Sequence, residues 1–145
     1  MSAGIGRCFP LDRGAAGKAL LVSGPEQNDL WRRATASLSA EQCEQLNQEI
    51  AAIRSRGYAK SAGETVAGSA SIAAPIRGPD GGVIAALSVA GPGSRFNGEA
   101  VARNAAVLLE AVARITRDLD AAFAAGEGGR GDARSRRLAL PNAAG

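Results

Sequence analysis

"SASIAAPIRGPDGGVIAALSVAGPG", Ser69 to Gly93, is the stretch whose reading decides the fold of this 145-residue chain. Two apolar runs, Ile72 to Arg77 and Val83 to Ala90, flank Gly-Pro-Asp-Gly-Gly. Glycine, proline and aspartate between β-prone runs are the residues a hairpin turn wants. Both runs are apolar on both faces, so the hairpin should be covered on each side. Pro75 has no N–H to give a ladder, so its strand should have an open side or a bulge there. With Gly78 to Gly81 as a four-residue loop, Arg77 pairs with Gly82 and Ser71 faces Ser88. Directly opposed side chains lie about 5 Å apart at Cβ. The two hydroxyls then converge on one face, where they either satisfy each other or meet a ligand.

Helices are expected on either side of this hairpin. A first helix is read from about Ala15 to Ser23, stopped by Gly24-Pro25, and a short helical piece, "PEQNDLWRRATA", follows. The cleanest start signal is Leu38-Ser39-Ala40-Glu41-Gln42-Cys43, with Ser39 as N-cap, Gln42 closing a capping box, and Leu38 and Cys43 placed as a hydrophobic staple. Cys43, Leu46, Ile50 and Ile53 recur at helical spacing and predict one apolar face, with Cys43 in the core. Gly57 is placed as a left-handed C-cap. A short extended piece is expected at Tyr58 to Ser61. The last helix is read from about Gly98 to Ala124. Its stripe of Val101, Ala105, Leu108, Val112, Ile115, Leu119 and Phe123 is either core or a helix–helix dimer seam.

Length and composition bound the rest. The length suits one domain, read here as residues 1–124, with a disordered basic tail at 125–145. The formal net charge of +3 owes its sign to Arg130, Arg134, Arg136 and Arg137 in that tail, which is either simply solvated or held by an anionic partner. Aromatic residues make up 3% of the chain, which argues against a stacking platform for nucleic acid. Two cysteines give no disulfide framework. Met1 to Pro10 lacks a basic segment followed by an apolar one, and no apolar run reaches the ~18 residues of a membrane span. A cytoplasmic chain is expected, with no membrane partner.

"RGAAGKALLVSG", Arg13 to Gly24, raises the question of a phosphate loop. That motif needs a glycine five residues before Gly17 and a hydroxyl after Lys18; Asp12 and Ala19 stand there instead. The chain contains no histidine, which removes the usual general base, the commonest metal ligand and the serine or cysteine triad. No cofactor or metal is expected. An enzyme would have to work through Lys18 or Glu64. Two other readings of "GAAGKALL" remain: a tight loop-to-helix packing point, or a helix start whose N–H groups meet an anion.

Taken together, "CFPLDRGAAGKALL", "IAAIRSRGYAKSAGE", "SIAAPIRGPDGGVIAALSVAGP" and the final amphipathic helix resemble the effector-binding domain of IclR-type transcriptional regulators. The resemblance spans roughly Gly6 to Phe123. It implies a GAF-like α/β (α+β) domain, an antiparallel sheet flanked by helices, with a pocket for a small organic acid or aromatic metabolite. In that family the domain follows a winged helix-turn-helix module, and effector binding alters a homodimer or homotetramer and so DNA binding. The DNA-binding module, and the first helix and strands of the effector domain, are expected to lie outside this chain.

Carried over position by position, the resemblance implies effector contacts from Phe9, Ala15 and Ala16 in and after the loop before Gly17-Lys18. It adds Ser61, where relatives often have aspartate, and Ser71, where they often have cysteine. Ser88 and Ala90 hold the two serine positions of the last strand, with one hydroxyl lost. The expected function is small-molecule sensing for transcriptional control. The alternative is an oligomerisation domain with a vestigial pocket.

Overall fold

The computed structural model describes residues 8–23 and 29–133. In chain order the elements are α1 (Ala15–Leu20) with a 3-10 turn (Leu21–Ser23), α2 (Asp29–Thr35), α3 (Ala40–Arg56), β1 (Ala59–Ala62), β2 (Ser69–Arg77), β3 (Val83–Pro92), a second 3-10 turn (Gly93–Arg95) and α4 (Gly98–Ala133). The three strands form one antiparallel sheet in the order β1-β2-β3. This is the α+β architecture expected from the hairpin and its flanking helices.

The local signals of α3 are realised atom for atom. Ser39 Oγ accepts from the Gln42 N–H at 3.2 Å, and Gln42 Oε1 accepts from the Ser39 N–H at 2.8 Å. Gly57, at φ 87°, ends the helix and donates to the Ile53 carbonyl. Leu46, Ile50 and Ile53 are buried as read, but Cys43 is only half-buried and lies outside the core. It sits in the first turn of α3, ahead of Leu46, where burial of this helix begins.

Side chains of β2 alternate between two cores because successive residues of a strand point to opposite faces. Ala73, with Ala59 of β1, joins Ala15, Ala19, Leu21, Val22, Trp31 and the α3 face. Ile72 and Ala74 pack instead on Ala105 and Leu108 of α4, with Val101 and Val112 against them. β2 is thus covered on both sides, as expected. β3 is not: Ile84 and Val89 are exposed, because it is the edge strand of the described sheet. Pro75 lies beyond the last β1–β2 pair, Ala59↔Ala73, where β2 has an open side.

The expected register is corrected. Ser71 pairs with Ala90 and Ser88 with Ala73, not with each other. The turn holds five residues, Gly78 to Gly82, closed by the Gly78 N–H on the Gly82 carbonyl at 2.8 Å. A register shift between Ile76 and Arg77 then leaves Ile84 without an opposite number. One longer turn and one bulged residue move the pairing by two positions. A two-residue shift preserves side-chain parity, so Ser71 and Ser88 still share a face, as diagonal neighbours.

α4 also runs past its expected end at Ala124, to Ala133. No proline interrupts its hydrogen-bond ladder before Pro141, although each of the four glycines from Gly126 to Gly131 costs about 1 kcal/mol against alanine. The helical stretch replaces the start of the tail expected from residue 125; residues 134–145, with Arg134, Arg136 and Arg137, lie outside the described residues. So do residues 24–28, the last four of which begin the piece expected to be helical from Pro25 to Ala36; α2 occupies Asp29–Thr35 of it. Among the described residues no helix is long and apolar enough to cross a membrane.

Candidate functional site

The loop at Arg13 to Lys18 is a packing point, and its glycines show why. Gly14 has φ 76°, and a Cβ on it would stand 2.9 Å from Thr65 Cγ2. A Cβ on Gly17 would stand 2.6 Å from the Leu11 carbonyl oxygen, so only glycine lets the chain turn back on itself here. Lys18 does not reach outward to a phosphate. It is buried, and its Nζ lies 2.6 Å from Glu49 and 2.8 Å from Glu64. The other Glu64 oxygen accepts the Gly14 N–H at 2.8 Å. Lys18 and Glu64, the two side chains through which an enzyme would have had to act, are engaged with each other and tie α1 to α3 and to the β1–β2 loop.

That loop roofs a cavity of about 320 Å³ between α1 and the sheet face that carries Ser71 and Ser88. Phe9, Ala15, Ala16, Ser71, Ser88 and Ala90, six of the seven positions expected at the effector site, border it together. Leu11, Arg13, Gly14, Gly17, Leu20 and Thr65 complete most of the wall. Thr65 could not be read from the sequence, since only the backbone path of the β1–β2 loop, with positive φ at Gly63 and Gly68, carries it over α1. Ser61 is buried and pairs with Ser71 across β1–β2, but it borders a neighbouring cavity, with Ser71 common to both.

The polar groups here are few and specific. Ser88 Oγ donates to the Ile72 carbonyl at 3.2 Å. The side-chain hydroxyls of Ser71 and Ser61 have no hydrogen-bond partner among the described residues. Arg13, the one charged residue bordering the 320 Å³ cavity, bonds Asp12 at 3.1 Å. Among the described residues no group of three or more His, Cys, Asp or Glu side chains could hold a metal ion. The arrangement is a small, mainly apolar cup with hydroxyls on its floor, suited to holding a small polar molecule.

Similar proteins are found on this fold. The Agobacterium tumefaciens repressor BlcR superposes with a TM-score of 0.70 at 24% identity, over 81% of this chain and 51% of that one. The Thermotoga maritima IclR does so with a TM-score of 0.70 at 26% identity, over 82% and 51%. The C-terminal domain of the E. coli transcriptional regulator KdgR matches with a TM-score of 0.65 at 29% identity, over 79% and 74%. The chain thus spans about half the length of the first two. No curated protein sequence matches it. The sequence model described as "Bacterial transcriptional regulator IclR C-terminal" matches residues 1–117, and the chain belongs to that family of regulator C-terminal domains.

Proposed function

We propose that this chain is the effector-sensing part of a transcriptional regulator. The cavity between α1 and the sheet takes a small organic acid, and its occupancy controls DNA binding by a helix-turn-helix module that is not among these residues. The observation that supports this reading is the convergence of Phe9, Ala15, Ala16, Ser71, Ser88 and Ala90, distant in sequence, on one cavity. Its volume of about 320 Å³ lies near the lower end of the 300–1,000 Å³ common for ligand pockets, which favours a small acid over a larger aromatic metabolite. The family supplies the regulatory context.

A thermal-shift screen of small hydroxy, keto and dicarboxylic acids on the 145-residue chain tests the proposal. At least one acid should raise the melting temperature, and Ala90→Trp, which fills the cavity from the exposed edge strand, should abolish that shift. An acid whose shift survives Ala90→Trp would move the site elsewhere. No shift with any acid would favour the alternative, an oligomerisation domain with a vestigial pocket.

A further inference from the structure

On the other face of β2 lies a second, larger cavity, of about 540 Å³. Its floor is Ala70 and Ile72, and its walls are Tyr58 and Lys60 beside the edge of β1 that has no strand partner among the described residues, with Phe96 just ahead of α4 and Val101 in its first turn. The lining is mixed: Tyr58, Ile72, Phe96 and Val101 give it apolar and aromatic surface, and Lys60, Ser61, Glu64 and Ser71 give it polar groups. The ammonium of Lys60, an exposed residue of β1, has no hydrogen-bond or ion-pair partner among the described residues. Glu64 also borders this space, but both its oxygens are committed, one to Lys18 Nζ and one to the Gly14 N–H. Lys60 is therefore the uncommitted charge beside the apolar and aromatic part of this cup.

The geometry points to a second small-molecule site, for a carboxylate carried on an aryl or alkyl body. The body would lie between the Tyr58 and Phe96 rings on Ile72 and Val101, and the carboxylate would meet the Lys60 ammonium. This site goes beyond the proposed function and does not rest on it: of the two cavities, this one alone takes Ala70 and Ile72, and the other alone takes Ser88 and Ala90. They share Ser71 and the β1–β2 loop, which supplies Glu64 to one and Thr65 to the other. A ligand in either cavity thus touches the same loop.

The test uses 4-phenylbutyrate on the full chain, with 4-phenylbutylamine as the charge-reversed control, read by amide chemical shifts and calorimetry. Binding should perturb Ala62, Ile72 and Val101 and leave Ala16, Ser88 and Ala90 unmoved. Lys60→Ala should weaken binding by about tenfold, the loss expected for one charge-assisted hydrogen bond at a partly exposed site, and Lys60→Arg should retain most of it. Val101→Trp should abolish it by filling the cup. Shifts at Ala16 and Ser88 instead would overturn the second site while supporting the first. Equal affinity for the amine, an unchanged affinity in Lys60→Ala, or no binding at millimolar concentration would each overturn it.

Discussion

The hydroxyls of Ser71 and Ser88 differ in what each has left to offer a ligand. Ser88 spends its hydrogen on the Ile72 carbonyl and turns lone pairs to the cavity. Ser71 borders the same cavity with its hydroxyl unpartnered among the described residues, so it can donate. A carboxylate accepts and does not donate, which ranks the two. For an acid bound in the α1 cavity, Ser71→Ala should raise Kd about tenfold, the low end of a hydrogen bond to a charged group. Ser88→Ala should raise it by no more than about threefold, and Arg103→Ala, on the exposed side of α4, should leave it unchanged. Calorimetry on the three variants decides this; a larger loss at Ser88 would mean that its hydroxyl leaves Ile72 for the ligand. Lys18 shows the reverse case. Its neighbours in sequence suggested phosphate chemistry, whereas its neighbours in space are two carboxylates that occupy it.

Among the elements, α3 was readable almost whole and the hairpin only in outline. Both facts have a physical basis. The start of α3 depends on Ser39 and Gln42, three residues apart, and its end on Gly57, so every determinant is local. Ser39→Ala should lower stability by about 1 kcal/mol through loss of the cap. Gly57→Ala should cost about 1–2 kcal/mol, because alanine is penalised at φ 87°. Urea unfolding of each variant measures both losses, and a neutral Gly57→Ala would show that the helix end relaxes out of the left-handed region. The hairpin turn was legible from its glycines, but its register depended on the positive φ at Gly81 and on the bulged Ile84. Neither leaves a mark in the sequence, because both strands are apolar on both faces and so carry no alternation that would fix the register. Ser71 and Ser88 still border one cavity because a shift of two residues keeps every side chain on its face. Cys43 failed for a different reason: helical spacing tells which face a residue shares, and says nothing of where along the helix the core begins.

At the scale of the whole molecule, α4 is longer than anything it packs against. Its 36 residues extend about 54 Å, whereas the nine residues of β2 extend about 30 Å. The near part of its stripe, Val101, Ala105, Leu108 and Val112, is spent on Ile72 and Ala74. The same stripe continues through Ile115 and Leu119 to Phe123, which is 46% exposed. A stripe that outruns its own sheet has its remainder left for another helix, and a second copy of α4 would supply one through a two-fold axis. The outer edge of β3 is a separate adhesive surface, with no strand beside it among the described residues; the Val83 N–H goes to Ser23 Oγ, and Ile84 and Val89 stand exposed without a guarding charge. Either seam alone gives a homodimer, and both together give a homotetramer. The chain should therefore scatter light as a dimer or larger species at tens of micromolar. Ile115→Asp with Phe123→Asp should halve the particle if α4 is the seam, with little change in the melting temperature, since Phe123 lies outside both cores. Val89→Lys should halve it if the β3 edge is the seam, because a charge on an edge strand opposes pairing with its own copy. A monomer before either substitution would remove both seams at once.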